Sequence, residues 1–143
     1  MRIMSLDVGS QTIGVAVRDL FGWTAQGVET IRHTTREKDF ARLWELTDQY
    51  KVEEFVLGLP LNMNGTKGMR AERTEEFAHE LEEAFPDIPW RFWDERLTTV
   101  MAQKELIAAN VSRKKRKKVI DKMAAVVILE DYLHYLALNG GKK

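Results

Sequence analysis

The sequence contains no cysteine in its 143 residues. This absence excludes disulfide scaffolds, thiolate zinc sites and cysteine nucleophiles. The three histidines, at positions 33, 79 and 134, do not have the spacing of zinc ligands. The longest uninterrupted apolar run covers residues 123–129, far short of the roughly 20 residues that span a bilayer. An aspartate precedes any apolar signal core, so we expect a cytoplasmic protein without secretion signal or membrane contact.

Net charge is absent as well, since 22 basic and 22 acidic residues cancel. The charges are nevertheless segregated: residues 72–87 hold seven acids and one base, whereas residues 113–118 are all basic. Six adjacent cations repel one another, and a polyanion would relieve that repulsion while releasing its counterions. The basic run therefore predicts nucleic-acid contact through Arg113, Lys114, Lys115, Arg116, Lys117 and Lys118. The alternative is a solvated, mobile segment that precedes a helix.

Apolar patterning predicts an α/β fold in a single domain that covers residues 1–143. Strands are expected at 3–8, 13–17, 24–31, 55–57 and 90–93, and helices at 35–50, 69–84, 98–109 and 119–138. Thr34 and Glu37 form a capping-box pattern for the first helix, and Gly58 marks the expected end of the fourth strand. Strands that alternate with helices favour parallel pairing after an opening antiparallel meander. We therefore expect a mixed central sheet of about five strands, flanked by helices.

Three carboxylates stand at positions where such a sheet places chemistry. Asp7 lies near the end of the first strand, and the Asp94–Glu95 pair follows the fifth strand. Open α/β sheets place their sites at this carboxyl edge. Asp121 lies near the start of the last helix, on a face with alanines that would let the helix approach the sheet. Each also has a structural interpretation: a turn aspartate, an acid paired with Arg96, and a carboxylate favoured by the helix dipole.

Three converging carboxylates would form a site for hard cations, which prefer oxygen ligands. Such a site suits Mg²⁺ or Mn²⁺, as one ion or as a pair that acts on a phosphodiester bond. The residues alone leave open whether all three acids share one site.

Four segments, in order along the chain, resemble the motifs of the YqgF/RuvX family. They are residues 7–16 (DVGSQTIGVA), 57–65 (LGLPLNMNG), 93–99 (WDERLTT) and 121–125 (DKMAA), the last extended by 131–133 (DYL). The resemblance runs from about residue 2 to residue 136. It implies a ribonuclease H-like fold and a bacterial cytoplasmic protein. Carried onto this chain, the family's acidic site falls on Asp7, Glu95 and Asp121, with Asp94 as a further candidate.

The resemblance implies a metal-dependent nuclease that matures the 5′ end of precursor 16S rRNA, with ribosomal particles as partners. The alternative within the family is a Holliday junction resolvase acting on four-way DNA. In either case Arg96 and the basic run would hold the nucleic-acid backbone, and the protein would be a monomer or a weak homodimer. One departure stands out: many members carry basic residues where this chain has Gln11 and Thr12, so the resemblance does not assign a phosphate contact to that turn.

Two other classes stay open. A non-catalytic nucleic-acid-binding protein needs only the basic run, although three converging acids would repel phosphate without a cation between them. A phosphotransferase or ATPase of the actin–hexokinase type has a similar Asp-Gly-Ser phosphate loop, but those proteins close two related domains over the nucleotide. A chain of 143 residues does not supply the second domain.

Overall fold

The computed structural model describes residues 2–19, 24–97 and 113–138, and the side chains of the last helix from residue 122 onward. The strands are β1 (Ile3–Val8), β2 (Thr12–Arg18), β3 (Ala25–Arg32), β4 (Glu54–Leu59) and β5 (Trp90–Asp94); the helices are α1 (Arg36–Tyr50), α2 (Met69–Ala84) and α3 (Arg113–Leu138). A short 3₁₀ turn, Glu95–Leu97, follows β5. The helix expected at 98–109 lies outside the described residues.

The five strands form one mixed sheet in the order β3-β2-β1-β4-β5. β1, β2 and β3 pair antiparallel, while β1, β4 and β5 run parallel. This confirms the predicted mixed sheet with an antiparallel opening. Because parallel strands end together, the C-terminal ends of β1, β4 and β5 meet at one edge, here called the carboxyl edge.

Alternating side chains divide the core between the two faces of the sheet. On one face Met4, Leu6 and Val8 of β1 pack in a cluster with residues of α1 and α2, and we call it the α1–α2 face. On the other face Ile3 packs in a cluster with residues of α3, and we call it the α3 face. Odd-numbered residues of β1 therefore lie on the α3 face.

Helix α3 crosses the sheet obliquely, from β3 over β1 to β4, as three contacts show. The stem of Lys122 lies over Gly27 of β3. The Ser5 Oγ of β1 donates a hydrogen bond of 2.6 Å to the carbonyl of Ala125. Further along the helix, the Tyr132 hydroxyl donates to Glu54 of β4, at 2.8 Å. Ala124 and Ala125 are fully buried at the crossing, and their small side chains permit this close approach.

Two predicted boundaries are wrong. Helix α1 is capped by Thr35 rather than Thr34, since the Thr35 side chain accepts from the Lys38 backbone N–H. Helix α3 begins at Arg113, six residues before the predicted start, so the basic run forms its first turns instead of a preceding loop. Lysine and arginine are good helix formers, and their intrinsic preference accounts for the longer helix. Among the described helices, none has an apolar stretch able to span a membrane.

A buried polar pair holds α3 to the sheet at the end opposite the carboxyl edge. Glu54 is 2% exposed, and its Oε2 lies 2.8 Å from the Tyr132 hydroxyl and 3.5 Å from the Arg91 Nε. Burial, together with the hydrogen bond to Glu54, raises the pKa of Tyr132 above its ordinary range, so the hydroxyl keeps its proton and acts as the donor. The pair therefore stabilises the packing of α3 on β4 through the hydrogen bond between Tyr132 and Glu54.

Tyr132→Phe should lower the free energy of unfolding by about 1–3 kcal/mol, because it removes a donor from a buried carboxylate. Urea denaturation at neutral pH measures the change. Tyr50→Phe is the matched control: it removes a hydroxyl from a half-buried ring beneath Arg2, and we expect a change within about 0.5 kcal/mol. Equal effects of the two variants would contradict the role assigned to Tyr132.

Candidate active site at the carboxyl edge

Asp7 lies near the end of β1, on the α3 face, and is 1% exposed. Its neighbour across the antiparallel pair is Gly14 of β2. On the parallel side Leu6 pairs with Leu57, so the next residues, Asp7 and Gly58, lie side by side. Asp7 is thus flanked on both neighbouring strands by residues without side chains. The missing side chain at Gly58 leaves a space beside Asp7 that residues from two distant parts of the chain fill.

Gly58 determines where Glu95 can lie. Glu95 opens the 3₁₀ turn after β5 and is 3% exposed. A Cβ on Gly58 would stand 3.0 Å from the Glu95 Oε2 and 2.4 Å from the Ile128 Cδ1 of α3. The Glu95 carboxylate therefore lies against the backbone of β4, beneath α3. Since Gly58 is beside Asp7, the Glu95 carboxylate lies over the strand next to Asp7.

The third predicted acid, Asp121, lies on α3 one turn before Ala125, whose carbonyl is bonded to Ser5. It is the ninth residue of the helix, beyond the first turn in which the helix dipole favours a carboxylate. The helix dipole therefore does not account for an aspartate at this position. The side chains of Asp121 and of the basic run lie outside the described part of the structure, and their roles stay predictions.

The donor set at this edge fits a hard cation. Asp7 at the end of β1 and Glu95, whose carboxylate lies over β4, are both almost fully buried, and oxygen ligands are what Mg²⁺ and Mn²⁺ prefer. Within the side chains that the structure describes, no group of three or more His, Asp or Glu forms a metal cluster by itself. A third ligand would have to come from outside that set, and position 121 is the predicted source.

Asp94, the further candidate, is already engaged by Arg96. The Arg96 Nε and Nη2 donate to the Asp94 carboxylate at 2.8–3.1 Å, and the Arg96 backbone N–H adds a bond of 2.9 Å. These hydrogen bonds hold the pKa of Asp94 below its ordinary value of 3.8. The remaining Nη1 donates to the Met63 carbonyl, at 3.3 Å, in the loop between β4 and α2 (residues 60–68). Arg96 thus ties that loop to the end of β5.

The contact of Arg96 with the nucleic-acid backbone stays a prediction, and the structure adds a positioning role. Gly65 in the same loop has φ +86°, and a Cβ there would stand 3.3 Å from the Arg96 Nη1. The left-handed backbone favours glycine at this position, and a larger residue would also displace the guanidinium slightly.

Arg96→Gln should make protein stability less dependent on acid pH. A carboxyl whose pKa is lowered by folding contributes stability that is present above its unfolded value and is lost as pH falls through the folded value. We therefore expect wild type to exceed the variant in free energy of unfolding at pH 7, with the difference narrowing as pH falls below about 4. Urea denaturation at several pH values measures it. The pairing would be contradicted if the difference in free energy of unfolding stayed constant down to pH 2. It would also be contradicted if Arg96→Gln had the same effect in an Asp94→Asn background.

Sequence reasoning missed Gly58. The glycine was expected to end the fourth strand, but β4 continues through it to Leu59. A glycine within a strand often marks the close approach of another group, and that signal was present. What approaches it, Glu95, is 37 positions away in the sequence and could not be identified from local pattern.

Similar proteins cover almost the whole chain. A protein of Desulforamulus reducens is 57% identical over 133 residues, which are 93% of this chain and 96% of the relative. A protein of Bacillus subtilis is 56% identical over 138 residues, 95% and 99% of the two chains. Both carry the name pre-16S rRNA nuclease as a provisional assignment.

Solved structures show the same fold at low sequence identity. The RuvC protein of T. thermophilus, in complex with a Holliday junction substrate, superposes with TM-score 0.65 at 13% identity and covers 100% of this chain and 99% of that one. The fowlpox virus resolvase with Holliday junction DNA gives TM-score 0.53 at 10% identity, covering 95% and 99%. The ribonuclease H-like fold implied by the sequence motifs is thereby confirmed.

The sequence profile of the RuvX family, described as Holliday junction resolvase, matches residues 1–135. This span contains the three strands that form the carboxyl edge, Glu95 and all of α3 but its last residues. The family suggested by the four motifs and the family shown by the comparison are the same. The chain belongs to the RuvX family.

Proposed function

We propose that this protein is a metal-dependent nuclease whose site is formed by Asp7, Glu95 and Asp121. The observation that carries the proposal is the placement of Glu95 over Gly58, beside Asp7, at the carboxyl edge. Carboxylate oxygens in this position are suitable ligands for Mg²⁺ or Mn²⁺, and phosphodiester hydrolysis is chemistry that such cations support. The RuvX membership and the nuclease names of the relatives support the same class of enzyme.

Each residue of the chain has a defined task in this proposal. Asp7 and Glu95, fixed by their strands, would hold one or two Mg²⁺ or Mn²⁺ ions, and Asp121 would complete the ligand set from α3. When bound, the ions would neutralise charge on the phosphodiester and on the leaving oxygen. The Glu95 carboxylate lies beneath Ile128, and both carboxylates are almost fully buried, which limits water at the ligands. The Ser5–Ala125 hydrogen bond maintains the distance between α3 and β1 on which this geometry depends.

The basic run supplies the second part of the proposal. As the first turns of α3, residues 113–118 lie on the same helix as the proposed third ligand, so substrate contact and metal ligation are linked through one rigid element. Each phosphate that these side chains neutralise would make binding more dependent on salt. Nucleic acid as the substrate class is also consistent with the resolvase–DNA complexes that share the fold.

Between the two nucleic acids we favour the 5′ end of precursor 16S rRNA. The relatives at 56–57% identity bear that name, whereas the likeness to junction-bound resolvases, at 10–13% identity, concerns the fold. Resolution of a four-way junction would need two active sites in a symmetric dimer, and nothing in the described residues requires a dimer. The phosphotransferase alternative has no support from the family of the chain.

The test is a cleavage assay with two substrates. The purified protein is given a 16S rRNA precursor with its 5′ leader, or a four-way DNA junction, in Mn²⁺, in Mg²⁺ or in chelator. We expect metal-dependent cleavage, faster on the RNA. Faster cleavage of the junction would select the resolvase alternative. Binding of both substrates without cleavage in any metal would refute the nuclease and leave a non-catalytic nucleic-acid-binding protein.

A further inference from the structure

A cavity lies at the carboxyl edge, on the α1–α2 face of the sheet. It has a volume of about 360 Å³ and is open to solvent. Its wall includes Val8 and Ser10, which follow Asp7 by one and three residues, together with Arg36 of α1 and Arg73 of α2. The cavity is therefore next to the proposed active site along β1 but on the opposite face. None of its residues belongs to the acidic site described above.

The acid in the cavity wall is already engaged within the protein. Asp39 is 3% exposed; its Oδ2 lies 2.7 Å from the His33 Nδ1, and its Oδ1 accepts from the Thr34 backbone N–H at 3.3 Å. The other ring nitrogen of His33 lies 3.0 Å from the Gly9 carbonyl. The turn after β1 is thus fixed to α1, and both oxygens of the buried carboxylate have hydrogen-bond partners. Because Asp39 is occupied by these contacts, the two arginines of the cavity wall determine which ligand it attracts.

The two arginines differ in how they are held. The Arg36 Nε lies 2.6 Å from Glu80 Oε2, and its guanidinium stacks over the Phe77 ring at 5.2 Å. Arg73 is half-buried and forms no ion pair with any residue that the structure describes. A half-buried guanidinium that is not held by a carboxylate, beside hydroxyl groups, favours an anionic ligand with several acceptor oxygens. Glu76, the other acid in the wall, is exposed at the rim.

We propose that this cavity binds a phosphodiester group of the substrate strand, next to the one that is cleaved. Arg73 would bind its oxygens with the planar guanidinium, and Thr34 would add a hydroxyl donor. The strand would then pass around the end of β1, with one phosphate at Asp7 on the α3 face and its neighbour on the α1–α2 face. This inference rests on the proposed function, since it assigns a further subsite to the same enzyme.

The first test compares Arg73→Gln with Arg70→Gln. Arg70 lies one turn earlier on α2, is exposed and does not line the cavity, so it controls for general loss of positive charge. Both changes are made in the uncleaving Asp7→Asn protein, and binding of the RNA precursor is measured against salt. We expect Arg73→Gln to weaken binding about tenfold and to lower the salt slope by about 0.7, as for one phosphate contact. Equal losses in the two variants would overturn the inference.

The second test locates the phosphate. Methylphosphonate, which has no charge, replaces one phosphate of the RNA at a time across the cleavage site. We expect one position near the cleaved bond where the substitution weakens binding to the arginine-containing protein but not to Arg73→Gln. Equal effects at every position in both proteins would overturn the inference. Coupling at one position, without cleavage by wild type in any metal, would retain the phosphate site and refute only the nuclease.

Discussion

Asp7→Asn should abolish metal-dependent cleavage, with a loss of about a thousandfold or more, equivalent to about 4 kcal/mol of transition-state stabilisation. Asparagine keeps the size of the side chain but removes the charge that would hold the cation between β1 and β4. The rate is measured in single-turnover experiments with excess protein, so that weakened binding does not hide the loss. Asp48→Asn is the matched control, since Asp48 is exposed on α1 and, among the described residues, forms an ion pair with Lys51 alone; it should retain full activity.

The same variant also separates a catalytic role for Asp7 from a structural one. Without metal, the variant should be at least as stable as wild type, because it removes one of two neighbouring buried carboxylates. Added Mn²⁺ should raise the Tm of wild type, since a ligand that binds the folded state stabilises it, and should have little effect on the variant. A loss of several kcal/mol without metal would instead identify Asp7 as a structural residue of the turn that follows β1.

Gly58→Ala should damage both the core and the active site. The added Cβ would stand 2.4 Å from the Ile128 Cδ1 and 3.0 Å from the Glu95 Oε2. Overpacking of this kind lowers the free energy of unfolding by about 1–3 kcal/mol. Displacement of a metal ligand by about 1 Å should lower the cleavage rate about a hundredfold. Urea denaturation and single-turnover kinetics measure the two effects.

A second substitution should separate these two effects. Ile128→Val removes the Cδ1 that the new methyl group would meet, so the double variant should recover most of the lost stability. The contact with Glu95 stays, and the activity should stay low. Gly27→Ala is the control, because its Cβ would meet only the flexible stem of Lys122. Recovery of both stability and activity in the double variant would show that Gly58 serves packing alone.

The local elements were predictable because their signals are local. The apolar run that forms β1, the short turn to β2 and the helical stripe of α1 each depend on residues a few positions apart. The boundary errors have local causes too. Thr34 and Thr35 are both acceptable caps, and only the Thr35 side chain accepts from Lys38. The basic run was judged by its charge, while its helical preference decided where α3 begins.

The candidate acids could be identified from the sequence, but their proximity in the folded protein could not be predicted. Asp7 and Glu95 were singled out because each follows an apolar run, and that pattern says nothing of strand order. The pairing of β1 with β4, and of β4 with β5, sets Asp7 beside the strand over which Glu95 lies. The same pairing shows Asp94 turned to Arg96, a distinction between two adjacent acids that no periodicity contains.

By itself the sequence determined which kinds of functional side chain are available: carboxylates at strand ends and a basic run, with no thiol and no set of histidines spaced as zinc ligands. It also determined the alternation of strands and helices, because hydrophobic period is a property of neighbouring residues. Only the tertiary structure decided that the Glu95 carboxylate lies against the backbone of Gly58 and that Arg96 binds the loop at the Met63 carbonyl. It alone brought Arg73 to the cavity beside Ser10. These contacts join residues 30 or more positions apart, and their geometry follows from sheet register and helix packing rather than from local sequence.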